Sequence, residues 1–293
     1  MSQVMQPQSK LDIFQAGKQL GIAILVASSL EIVTGLSHPL PSQAGSITLR
    51  NGIPCEGQFQ GLNGRGRCNY PGAKTPEATE GFNYYEGEIR DGLPNGRGIF
   101  VYDKVEAAGS PYDYYQGDVR NGLPNGRGTF IYKNDDRYEG QVVNGIPSGT
   151  GMFLFAENSR YEGGIRNGLP EGRGTFTFAN GDRYEGGILR GLFHGQGTFS
   201  FVNGQRYTGK FYLGQAKGEG VLIHANGTRC NGFFYNSQFT GQGTCNYPKD
   251  NTIRTYTGEL RDGVPEGRGV MVLANGARVT GEFRRGAPFR PKP

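Results

Sequence analysis

The chain has 293 residues, a formal net charge of +5, and only 19% charged residues. Its 51 glycines follow no three-residue period, which excludes collagen, and its 16 tyrosines and 18 phenylalanines are too many for a disordered linker. That length suggests about two globular domains, but internal self-similarity overrides such a prior, because each copied unit packs only on its neighbours.

The amino terminus differs from the rest. Lys10 and Lys18 precede an apolar run over residues 20–30, and Ser42-Gln43-Ala44 offers small residues at the −3 and −1 positions of a cleavage site. Residues 1–44 read as a long secretory signal. The competing reading is a retained anchor over residues 20–36, which carries Glu31 near its end and falls short of the roughly 20 apolar residues of a spanning helix. A short soluble amphipathic helix is the third reading.

From residue 45 to residue 293 one signature recurs. Its anchor tyrosines stand 23 residues apart at Tyr115, Tyr138, Tyr161, Tyr184 and Tyr207. On the frame of the copy at Tyr161, with Gly163, Gly168, Gly172, Gly174, Phe176 and Phe178, further copies start at Tyr85 and Tyr256. Imperfect ones start at Cys55 and Cys230, and a truncated one starts at Val279. Two spacings are stretched, to 30 residues after Tyr85 and to 26 after Cys230, and the insertions over 104–113 and 248–254 belong in loops.

Within a copy, Tyr161 to Arg166 and Arg173 to Phe178 alternate apolar or glycine positions with polar ones, the period of a half-buried strand. Between them lies Asn-Gly-Leu-Pro-Glu-Gly at 167–172, read as a loop, so each copy is a β-hairpin. Copies are joined by turns such as Asn180-Gly181 and Asn203-Gly204. A two-residue turn would set Phe178 against Arg183, whereas a three-residue Asn-Gly-Asp loop sets it against Tyr184, and the second is preferred. The expected fold is all-β, an elongated single-layer antiparallel meander of about ten hairpins, on the order of 95 Å long at 4.8 Å per strand.

Through motifs such as Tyr138-Glu139-Gly140 to Gly149-Thr150-Gly151 and Tyr184-Glu185-Gly186 to Gly195-Gln196-Gly197, the chain resembles the MORN (membrane occupation and recognition nexus) repeat proteins over residues 53–289. Such repeats occur in membrane-apposed scaffolds, as extensions of lipid kinases, and beside a lysine methyltransferase domain. The repeats here leave no stretch long enough for either enzyme domain. The resemblance therefore implies the fold, with a lipid-kinase subunit as a lesser reading.

Cysteines break the pattern. Cys55 and Cys230 replace the anchor tyrosine, and Cys245 stands where other copies have Phe176 or Phe199. Cys68 reaches the same position because its copy has a loop two residues shorter. Two placements on one facing aromatic pair predict cross-strand disulfides Cys55–Cys68 and Cys230–Cys245, hence an oxidising compartment, against the alternative of four buried thiols.

No catalytic constellation emerges. There is no phosphate-binding Gly-x-x-x-x-Gly-Lys, the Gly-x-Gly pairs never extend to Gly-x-Gly-x-x-Gly, and no Cys-x-x-Cys is present, so neither enzyme, cofactor nor metal is implied. His194 and His224 each belong to a single copy, and Asp135-Asp136 reads as turn chemistry.

The two faces differ. One gathers Tyr138, Tyr161, Phe176, Phe178, Tyr184, Phe199, Phe201 and Tyr207, either closed on itself or open as a groove for a peptide, a lipid chain or a second protomer. The other repeats Arg137, Arg160, Arg183, Arg206 and Arg229, a candidate anion-binding strip for membrane headgroups. Glu139, Glu162 and Glu185 follow the first three of these, which favours a self-neutralising ladder. Nucleic acid is excluded as a partner on the ground that aromatics and arginines lie on opposite faces. The end strand near Val279 is a candidate for pairing, with Pro288, Pro291 and Pro293 as its cap. The function expected is a non-enzymatic interaction scaffold, exported to a periplasm or cell envelope, that binds a protein partner or forms a homodimer.

Overall fold

The computed structural model describes residues 45–70, 82–102 and 111–289. The expected leader or anchor over 1–44 lies outside them, as do Pro291 and Pro293. Among the described residues the regular structure is 21 strands and no helix. These residues fall into two compact units, one ending at Leu169 and the other starting at Pro170.

The first unit holds β1 (Gly45–Thr48), β2 (Pro54–Gln60), β3 (Asn63–Asn69), β4 (Phe82–Arg90) and β5 (Leu93–Tyr102). It continues with β6 (Tyr112–Arg120), β7 (Leu123–Tyr132), β8 (Arg137–Val143), β9 (Ile146–Leu154) and β10 (Arg160–Arg166). Each strand pairs antiparallel with the next. The second unit holds most of β11 (Leu169–Thr177), then β12 (Arg183–Leu189), β13 (Leu192–Ser200), β14 (Arg206–Tyr212), β15 (Gln215–Ile223) and β16 (Arg229–Tyr235). It ends with β17 (Gln238–Asn246), β18 (Ile253–Arg261), β19 (Val264–Leu273), β20 (Arg278–Arg284) and β21 (Ala287–Pro288), again a meander of antiparallel neighbours. β20 is thus not the last strand, because β21 pairs along part of it through Phe283 and Pro288.

The hairpin loop is shorter than the sequence suggested. Only Asn167 and Gly168 turn the chain, with φ of 49° and 79°, and the Leu-Pro-Glu-Gly that follows belongs to β11. Positive φ at both central residues matches the strand twist, which selects asparagine and glycine there. The proline reads as a breaker but is a core position. Pro147 faces Val142 across its hairpin and is buried, while its carbonyl accepts the Gly168 N–H of the next turn at 2.9 Å. That rung uses only the acceptor, so the missing donor costs nothing there. The same bond, Gly191 N–H to the Pro170 carbonyl at 2.8 Å, recurs in the second unit.

The turn between copies keeps the expected parity and differs by two residues in register. Phe176, not Phe178, faces Tyr184. The loop is Ala179-Asn180-Gly181: the Gly181 N–H donates to the Phe178 carbonyl at 2.9 Å and the Phe178 N–H to the Asp182 carbonyl at 2.9 Å. Gly181, with φ of 90°, is the left-handed residue that completes this three-residue turn. Asp135 takes that place two turns earlier with φ of 65°, as expected of turn chemistry. The stretched spacings also lengthen strands: Ile253 and Arg254 belong to β18, and Tyr112 and Asp113 to β6.

Candidate interaction surface

The repeat tyrosines decide what the apolar face is. In the copy at Tyr184, Tyr184 faces Phe199, Gly186 faces Gly197, and Ile188 faces Phe193, with a register shift between the last two pairs. A Cβ on Gly197 would lie 2.5 Å from the Tyr184 hydroxyl oxygen, so the ring lies flat over the glycine pair of its own hairpin. Its hydroxyl donates to the Gly187 carbonyl three residues on, at 2.7 Å. The same bond is made by Tyr85, Tyr115, Tyr138, Tyr161, Tyr207 and Tyr256, at 2.6 to 3.1 Å. Buried hydroxyls need such partners, and the bulged backbone frees these carbonyls to accept.

The residues expected to line a groove are therefore brought together, but as a closed layer. Tyr138, Tyr161, Tyr184, Tyr207 and Phe199 are fully buried, Phe176 and Phe178 are nearly so, and Phe201 is half-buried against Phe199 at 4.6 Å. Tyr184 stacks on Phe193 at 3.8 Å between centroids. Sequence reasoning left open whether this face closes on itself or forms a groove, and missed that the tyrosine covers the glycine pair of its own hairpin.

Burial raises the hydroxyl pKa of Tyr138 and Tyr161 from 10.0 to about 12, and pushes Tyr184 and Tyr207 up as well. Ionisation therefore costs more in the folded chain than in the unfolded one. The corresponding stabilisation is complete below pH ~10 and is lost as pH rises through the folded values. Denaturant melts followed by circular dichroism are expected to show a constant midpoint up to pH ~9 and a steep fall above pH ~10, with the tyrosinate absorbance of the buried repeat tyrosines appearing only as strands are lost.

The arginine face is neutralised in part. Arg137, Arg160 and Arg183 hold Glu139, Glu162 and Glu185 at 3.2, 2.7 and 2.8 Å. Arg206 and Arg229 have Thr208 and Asn231 in place of the glutamate, and no carboxylate within ion-pair distance among the described residues. The five arginines are thus not one equivalent strip. The separation of aromatics from arginines also fails locally: Tyr212, Phe233 and Tyr235 are exposed on the arginine face. The signal was present in the frame, since Phe233 stands where other copies have Gly187, Lys210 or Gln141.

Cys55 faces Cys68 and Cys230 faces Cys245, both pairs are disulfide-bonded, and no free cysteine is found among the described residues. With the tyrosine gone, a phenylalanine covers the glycines: Phe239 over Gly232 and Gly243, Phe59 over Gly66. Among the described residues no group of His, Cys, Asp or Glu is arranged to hold a metal ion, and no helix is long and apolar enough to cross a membrane. His224 is half-buried, and the partial loss of solvent lowers its pKa; His194 lies 5.5 Å from the Tyr212 ring.

Among solved structures, the TCP10 domain of Danio rerio CPAP is similar at 13% identity and a TM-score of 0.40, over 80% of this chain and 98% of that one. The TCP domain of Drosophila melanogaster SAS-4, solved with a proline-rich motif of Ana2, is similar at 16% identity and a TM-score of 0.35, over 54% of this chain and 85% of that one. A search of curated proteins finds no match. The model of the MORN repeat matches residues 85–104, 115–137, 138–160, 161–183, 184–206, 207–229, 230–252 and 256–278, more than half of the chain. With the paired glycines present in each of these copies, and the anchor tyrosine in all but the one that starts at Cys230, the chain belongs to the MORN repeat family.

Proposed function

We propose that this chain is a non-enzymatic scaffold, exported to the cell envelope, that binds a partner protein or a second protomer along the outer face of its hairpins. The observation that carries the reading is the closed tyrosine layer. Each tyrosine-bearing copy spends its anchor ring and hydroxyl on its own backbone, so the polar face is left as the surface these hairpins present. Export is supported by the two disulfides and by Ser42-Gln43-Ala44.

The test is capture of the full chain from envelope extracts, followed by reconstitution from purified components. A discrete complex that reassembles, or a concentration-dependent dimer in sedimentation, is the expected result. A chain that sediments as a monomer in the presence of every extract fraction would overturn the scaffold.

A further inference from the structure

Three departures from the repeat coincide between β13 and β17. Arg206 and Arg229 lose their glutamates. The residues that bridge them, facing Arg206 and Thr208 on one side and Arg229 and Asn231 on the other, are Ile223 and Val221, where the copy at Tyr161 has Thr177 and Thr175. Tyr212, Phe233 and Tyr235 are about half exposed, at 52, 48 and 55%. Across residues 192–246 the charged side chains are Arg206, Lys210, Lys217 and Arg229 against the single carboxylate Glu219. The patch is flanked by the neutral Arg183–Glu185 pair on β12 and, on β18, by Glu259 together with Arg254 and Arg261.

We infer that this patch binds an acidic peptide segment with interspersed apolar side chains, supplied by the partner protein. The inference rests on the scaffold reading. Unpaired guanidinium groups favour carboxylates, and the exposed rings with Val221 and Ile223 between them favour apolar side chains. A nucleic acid fits less well, because the Tyr212 ring already carries the Lys217 ammonium at 5.0 Å and meets the tilted His194 ring at 5.5 Å, which leaves it less free for base stacking. A membrane surface fits less well because the exposed rings and the unpaired arginines occupy only a few strands.

The test is fluorescence anisotropy with the full, oxidised chain and a labelled peptide alternating glutamate with phenylalanine. Control probes are the glutamine–phenylalanine and glutamate–glycine peptides, oligothymidylate, and phosphatidylglycerol vesicles. Saturable binding of the first peptide is expected, weakened about tenfold by Arg206→Gln with Arg229→Gln, and weakened by Tyr235→Ser and by added salt. Arg160→Gln, in a paired copy, is expected to leave it unchanged. Binding that ignores these changes, or is carried instead by the oligonucleotide, the vesicles or either control peptide, overturns the inference. A reconstituted partner complex indifferent to Arg206→Gln and Arg229→Gln would keep the scaffold and remove this patch from it.

Discussion

Gly197→Ala is expected to cost about 3 kcal/mol locally, and Thr198→Ala, one residue along on the opposite face, less than about 0.5 kcal/mol. The added methyl would sit 2.5 Å from the Tyr184 hydroxyl oxygen and 2.6 Å from its Cε2 atom. The ring has nowhere to go. It is stacked on Phe193 at 3.8 Å, meets Phe211 edge-on at 5.1 Å, and is tied by its hydroxyl to the Gly187 carbonyl. Either that hydrogen bond breaks in a buried place or the β12–β13 pairing opens. Tyr184→Phe removes the closest atom, so it should cost about 1 kcal/mol alone, and combined with Gly197→Ala less than the sum. Because a repeat array opens in parts, the measurement is hydrogen exchange of the β12 and β13 amides. Protection unchanged by Gly197→Ala would mean that the tyrosine does not occupy the glycine pair.

The second large effect concerns the hairpin of β16 and β17. Replacing both Cys230 and Cys245 by alanine is expected to lower its local stability by about 3 kcal/mol, the loop-closure term for a bridge of this span. The bridge joins residues 15 apart around a turn, Asn236-Ser237, that holds φ of 47° and 61° with no glycine. Ser237 is retained there by a bond from the Ala216 N–H to its hydroxyl at 3.1 Å. Restoring the family pair with Cys230→Tyr and Cys245→Phe is expected not to rescue it. The space that a tyrosine would fill is held by Phe239, which, unlike its counterpart Phe193 stacked beside Tyr184, lies over Gly232 and stacks on Phe234 at 4.7 Å. Adding Phe239→Pro, the residue found at Pro170, should then recover protection of the β17 amides. Recovery without that third change would show that Phe239 is not the substitute ring.

Much of this fold could be read from the residues because β-structure writes its period directly into the chain. Alternation around Tyr161 and Phe176 gave the strands and faces, and the frame brought Cys68 and Cys245 onto equivalent positions despite unequal loops. The turns were harder. Pro170 carries the signature of a breaker, and only the paired geometry shows it as a buried strand residue whose carbonyl is the useful group. The two-residue offset at Ala179-Asn180-Gly181 preserves parity, so no apolar–polar mismatch betrays it. The tyrosine hydroxyl bonds depend on a bulge next to the glycine pair, which alternation does not encode. The patch at Arg206, Arg229 and Tyr235 consists of departures from the repeat, and a reading anchored on what recurs passes over them.

The measurement that bears most directly on the reading of one face as closed core and the other as interaction surface is hydroxyl-radical footprinting of the oxidised chain, free and in its reconstituted complex. Tyr212, Phe233 and Tyr235 are predicted to react in the free chain and to be protected in the complex, with Tyr138, Tyr161, Tyr184 and Tyr207 unreactive in both. Repeat tyrosines that react in the free chain and are shielded on binding would contradict it, and would make the aromatic face the groove.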